Sequence, residues 1–151
     1  MTTSAPASET QTFTITEEIS VRASLEQTFA SLIAQMGRLN EGPDGTPLPM
    51  VLETRPGGRW YRDLGGDNGH LWGFVQSIKR PALLEIWGPL FMSTAATSNL
   101  LYRLTETPEG TLIRFTHTLV GPFPEDHRPR LATGWSALHA RVRKAAEAAA
   151  S

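Results

Sequence analysis

The side chains best suited to chemistry are two histidines, a tyrosine and a tryptophan in the last third of the 151-residue chain. His117 sits in Ile113-Arg114-Phe115-Thr116-His117-Thr118-Leu119, where alternation gives it the face of Ile113, Phe115 and Leu119. That face should be the buried, concave one. A buried imidazole needs a hydrogen-bond partner, so His117 either closes a bond inside the core or offers one to the polar end of a guest. Tyr102 shares a face with Leu100 and Leu104, opposite Asn99 and Arg103. Its hydroxyl there is a polar anchor in apolar surroundings, the usual composition of a small-molecule site. Trp135 and His139 are four residues apart in a helical pattern, so their side chains are neighbours. Trp60, Trp72 and Trp87, with Phe74 and Phe91, supply aromatic area that either lines a pocket or packs beneath loops.

No pattern indicates catalysis. There is no nucleophile elbow, no Gly-rich phosphate loop and no metal-binding pair at helical or finger spacing. Asp63, Asp67 and Glu85 occupy turns or alternate with apolar residues, as solvated carboxylates do. The chain has no cysteine, which excludes disulfides and thiolate metal sites and is compatible with a reducing compartment. The expectation is a protein with no catalytic residues, no metal and no cofactor.

Composition narrows the partners. A hydrophobic fraction of 40% supports one core, and a net charge of -1 gives no electrostatic reason to expect nucleic acid. Nothing reads as a signal peptide or a membrane span, so the expected location is cytoplasmic, without membrane insertion. Residues Met1–Gln11 are small and polar and are read as a disordered tail, leaving 12–150 as a single domain.

The elements that must position these side chains follow from periodicity. Phe13–Val21 alternates with a polar break and predicts a strand. Ser24-Leu25-Glu26-Gln27 has the form of a capping box, opening a helix with Leu25, Phe29, Leu32, Ile33 and Met36 on one side and a stop near Gly37. Asn40–Pro49 is too rich in Gly, Pro, Asn and Asp for regular structure. Six strands are then expected, over Met50–Arg55, Arg59–Leu64, His70–Lys79, Ala82–Trp87, Thr97–Thr105 and Thr111–Val120. Short Gly/Pro turns between them imply an antiparallel meander. His70–Lys79 is apolar on both faces, so its orientation is open. From Asp126 to Ala150 runs one long amphipathic helix with Leu131, Trp135, Leu138, Val142 and Ala145 as its stripe.

Several short segments, in order, carry a resemblance. They are Pro56-Gly57-Gly58-Arg59-Trp60, Gly73-Phe74-Val75 with Pro81 closing the strand, and Leu84-Glu85-Ile86-Trp87. Gly110 to Thr118 (GTLIRFTHT) and Gly134-Trp135 with Leu138 complete the series. Over about Ile15 to Ala146 the chain resembles the START-like (SRPBCC) superfamily, in the branch of the C-terminal domain of the activator of Hsp90 ATPase. The resemblance implies an α+β helix-grip fold, a curved antiparallel sheet of about six or seven strands wrapped around a long C-terminal helix. Members of this branch usually carry a tryptophan-rich segment after the first helix. Here that stretch is Met36-Gly37-Arg38-Leu39-Asn40-Glu41-Gly42, with no aromatic residue.

The expectation is a binder of a small hydrophobic or amphipathic molecule, held between sheet and terminal helix. Apolar burial would supply affinity, and His117, Tyr102 and His139 or Arg114 would orient the guest. The resemblance also implies a possible chaperone partner of the Hsp90 type. A cyclase- or hydrolase-like enzyme, known in the wider superfamily, is a third reading; it calls for an inward carboxylate beside His117.

Overall fold

Apolar alternation punctuated by turn residues builds a sheet here, and the two helical patterns close over one side of it. The computed structural model describes residues 10–151. Element order is β1 (Gln11–Val21), α1 (Leu25–Met36), β2 (Val51–Leu52), β3 (Arg59–Gly65), β4 (Asn68–Lys79), β5 (Leu83–Gly88), β6 (Thr97–Thr107), β7 (Gly110–Gly121) and α2 (His127–Ala150). The strands form one seven-stranded antiparallel sheet in the order β1-β7-β6-β5-β4-β3-β2. β2 to β7 is the expected meander. β1 joins it at the far edge, and α1 with the loop after it carries the chain from one edge of the sheet to the other. The result is the helix-grip fold.

α1 begins where the capping box places it. Ser24 Oγ accepts from the Gln27 N–H at 3.1 Å, and Gln27 Oε1 accepts from the Ser24 N–H at 3.1 Å. At the other end the Gly37 N–H bonds back to Ile33 and Ala34 carbonyls. The Trp60 indole N–H donates to the Met36 carbonyl at 2.8 Å, tying the end of α1 to the sheet. Ser24→Ala removes the side-chain half of the cap and is expected to cost about 1 kcal/mol in urea unfolding.

Most elements begin or end within two residues of the sequence reading, and three features depart from it further. Gln11 belongs to β1 and not to a tail: it pairs with Gly121, and its side chain donates to the Phe123 carbonyl at 3.0 Å. The rest of that expected tail, residues 1–9, lies outside the described residues. β2 covers only Val51–Leu52, because Arg55 N–H and Gly58 N–H close turn bonds onto Glu53 and Arg55 carbonyls where a longer strand would run. The loop at 40–49 has its own order. Asn40 is buried and donates to the Leu48 carbonyl, and Glu41 bridges to Pro47.

The core lies on the inner face of the sheet. β5, β6 and β7 contribute Leu84, Ile86, Leu100, Tyr102, Leu104, Ile113, Phe115, His117 and Leu119. α1 adds Phe29, Leu32 and Met36; α2 adds Leu131, Trp135, Leu138 and Val142, with Ala146 rather than Ala145 on its buried stripe. Ser31 Oγ–H donates to the Val142 carbonyl at 2.7 Å where α1 crosses α2.

The open question about β4 is settled by a register break. Trp60 pairs with Gly73 and Tyr61 with Leu71, so Trp72 is an extra residue between them. A bulge reverses which way the next residues point. Trp72 therefore turns inward against Trp60, ring centroids 5.1 Å apart. Gly73 beside it has no room for a side chain: a Cβ would stand 2.7 Å from the Trp87 carbonyl oxygen.

Candidate functional site

Between the sheet and α2 lies a layer in which polar atoms are sunk among aromatic rings. Trp135, at the centre of the α2 stripe, donates its indole N–H to His117 Nδ1 at 2.9 Å. An indole nitrogen can only donate, so Nδ1 is the acceptor and the proton of the neutral imidazole sits on Nε2. Nε2–H then donates to Ser98 Oγ at 2.8 Å. His117 is fully buried, and desolvation pushes its pKa down to about 4, so the ring is neutral at neutral pH.

A second chain of bonds starts from β1. Glu17 points inward, and its two oxygens take the His139 Nδ1–H in a short contact and the Ser136 Oγ–H at 2.7 Å. With Nδ1 protonated, His139 Nε2 accepts the Tyr102 O–H at 2.8 Å. Burial raises the Tyr102 pKa well above its usual value, and the Glu17 charge adds to that. Burial lowers the His139 pKa, with Glu17 opposing. At neutral pH the tyrosine therefore holds its proton and the imidazole carries no charge. The carboxylate fixes the His139 tautomer, and the phenol, wholly buried, is a donor and not a nucleophile. Phe115 joins the two chains, its ring centroid 4.8 Å from Tyr102, 4.6 Å from His139 and 5.1 Å from Trp135.

Most of the residues expected at a site meet here. Tyr102, Phe115, His117, Trp135 and His139 form the layer, and Leu100, Leu104 and Ile113 are the apolar wall around it. Trp60 and Trp72 form a separate aromatic end, extended by Phe91 at 5.4 Å from Trp72. Leu90 anchors that loop, fully buried and with its N–H on the Trp72 carbonyl. Trp87 is not brought in. Leu84 and Ile86 take the inner face of β5, so Trp87 points outward, 47% exposed, its ring tilted against Phe74 at 5.4 Å between centroids. Arg114 is also outward, paired with Glu18 at 3.1 Å. The inward carboxylate that an enzyme reading called for exists, but it is Glu17 beside His139, not beside His117.

Buried side chains occupy the layer between sheet and helix, and two concavities lie outside it. A cleft of about 570 Å³ follows the β1–α2 seam, lined by Glu17, Glu18, Ser136, His139, Arg143 and Glu147 among others. One of about 410 Å³ lies beside it over Thr16, Glu18, Arg114 and Thr116. Among the described residues no three His, Cys, Asp or Glu side chains group so as to hold a metal ion. No helix there is long and apolar enough to cross a membrane.

No protein-family model and no curated protein matches the sequence. Solved structures do match. A protein of unknown function from Staphylococcus aureus aligns with a TM-score of 0.67 at 12% identity, over 93% of this chain and 97% of its own. The Aha1 dimer from Colwellia psychrerythraea aligns with a TM-score of 0.63 at 17% identity, over 89% and 96%. The di-domain ARO/CYC protein StfQ from the steffimycin biosynthetic pathway aligns with a TM-score of 0.62 at 14% identity, over 92% of this chain and 50% of its own. At these identities the likeness is one of fold, the helix-grip fold described above.

Proposed function

We propose that the protein binds a small amphipathic molecule between the sheet and α2, the guest entering by displacing side chains of the aromatic–polar layer. One observation carries this reading. Ser98, Tyr102, His117 and His139 place donors and acceptors among Leu100, Leu104, Ile113 and Phe115. A core with only a structural task gains little from such groups, since apolar residues of similar volume are often as stabilising. Polar atoms at fixed positions in an apolar gap are what orients a ligand.

The tautomers define the guest. His117 Nδ1 presents a lone pair that Trp135 now fills. A guest that displaces the indole must bring its own hydrogen, so its polar end is a neutral donor such as a hydroxyl. A carboxylate offers no proton there and would pay for burial of its charge. The apolar remainder gains about 0.8 kcal/mol per buried methylene, offset by the cost of displacing protein side chains.

The test uses N-phenyl-1-naphthylamine, a neutral fluorescent donor, displaced by 1-decanol or decanoate at neutral pH. The expected result is enhanced probe emission, lost on adding 1-decanol at lower concentration than decanoate. Absence of enhancement up to the solubility limit of the probe counts against the proposal. Decanoate displacing better than decanol refutes the assigned polarity.

A further inference from the structure

We infer that the outer face of the sheet docks an acidic, amphipathic segment of a partner protein. This surface is separate from the gap under α2. Both helices cover the inner face, so the outer one is left to solvent, where an antiparallel sheet normally shows polar residues. Its β1 and β7 strands mostly do so, with Thr12, Thr14, Thr16, Thr116 and Thr118 beside Val120. The β2–β5 end does not.

Strand register assembles that end into rows. Phe74 pairs with Trp87, and Phe74 is flanked by Arg59 on β3 while Trp87 is flanked by Asn99 on β6. The Phe74–Trp87 pair, with Trp87 47% exposed, is therefore a contiguous aromatic surface and not a scattered residue. A neighbouring row, Val51–Tyr61–Leu71, continues it. Farther along the strands runs a second kind of row, Lys79–Leu83–Arg103–Arg114–Glu18. Arg103 and Arg114 stand directly opposite each other, an arrangement that destabilises a sheet unless something neutralises it. Arg114 has Glu18, whereas Arg103 has no ion pair or hydrogen bond among the described residues.

The two rows are four residues apart along β5 and β6, about 13 Å at the rise of a strand. Leu101 lies between them. Glu85, also between them, has its carboxylate occupied by Ser77 and Asn99 hydrogen bonds. A helix about 10–12 Å wide covers that distance. Its apolar face would rest on Phe74, Trp87 and Leu101 while carboxylates on one flank meet Lys79 and Arg103. Charge complementarity thus selects an acidic occupant. The exposed aliphatic groups of Val51 and Leu71, and the carboxylates of Glu18 and Glu85, favour a polypeptide over a nucleic acid.

The probe is a synthetic helical peptide with leucine and phenylalanine on one face and glutamate on its flank, titrated into 15N-labelled protein. Controls are the same peptide with lysine for glutamate, and oligothymidylate. The expected result is movement of the Trp87 indole resonance with the amides of both rows, while the buried Trp135 indole stays in place. Trp87→Ser and Arg103→Glu should each weaken binding about tenfold, although Arg103→Glu sets an opposite charge across from Arg114 and should not lower the thermal midpoint. No movement of Trp87 with the acidic peptide, equal binding of the lysine peptide, or tighter binding of oligothymidylate at these residues would overturn the inference.

Discussion

Trp135→Ala is expected to destabilise the protein by about 3–5 kcal/mol, read as a fall in the urea midpoint at unchanged slope. Two effects add. The indole is 6% exposed and wedged between Phe115 and the two histidines, so truncation leaves a cavity that a sheet and a helix cannot readily close. It also leaves His117 Nδ1 buried without a donor, at a cost of about 1–3 kcal/mol. Trp135→Phe separates them: most of the ring volume stays and the N–H goes, so only the second cost should remain. The binding proposal also makes a prediction about affinity. In Trp135→Ala the group that a guest must displace is already gone, so 1-decanol should displace the naphthylamine probe at lower concentration than in the wild type.

Acid should weaken the fold well above the range where carboxylates titrate. His117 has a folded-state pKa of about 4 against an ordinary value of 6.5. As pH falls through 6.5 the unfolded chain takes up a proton that the folded chain refuses. Stability present above 6.5 is therefore lost between 6.5 and about 4, where the folded form begins to protonate and the loss levels off. The difference corresponds to about 3 kcal/mol for this buried ring. His139, also lowered by burial, acts in the same direction. Glu53, held down to about 2 by Arg59, adds a separate loss as pH falls from its ordinary value of 4.5 to about 2. Unfolding free energy measured from neutral pH to about 4 should fall steadily, and His117→Gln, which cannot titrate, should flatten that slope.

Much of this arrangement was legible because it follows from period. Alternation through Leu100–Leu104 and Ile113–His117 identified the inner face, and helical spacing aligned Trp135 with His139. The capping box at Ser24 and Gln27 fixed the start of α1 for the same reason: it depends on residues three apart. Glu17 was visible but misread. Phe13, Ile15, Ile19 and Val21 mark the inner face of β1, and Glu17 occupies the missing position between them; a polar gap in an apolar series is an inward polar residue, not an interruption. Ser98 was open to the same reasoning, two residues before Leu100.

Other features depended on structure that spacing does not encode. The orientation of Trp72 is set by one unpaired residue in the β3–β4 register, and a bulge leaves no trace in an apolar run. The outward position of Trp87 followed from which residues of β5 face the core, and in Leu83-Leu84-Glu85-Ile86-Trp87 both faces carry large apolar groups. The adjacency of Arg103 and Arg114 arises only when β6 and β7 are paired. Whether the gap under α2 is open or filled is a matter of side-chain volume, and here Trp135, Phe115 and Tyr102 fill it.

The most direct test of guest binding under α2 is the Trp135 indole N–H resonance in 15N-labelled protein during titration with 1-decanol. The account predicts that this resonance moves as the bond to His117 Nδ1 is exchanged for the guest hydroxyl, in step with the His117 imidazole, while the outward Trp87 indole does not change. A Trp135 resonance that stays in place at saturating decanol, or a response confined to Trp87, would contradict it.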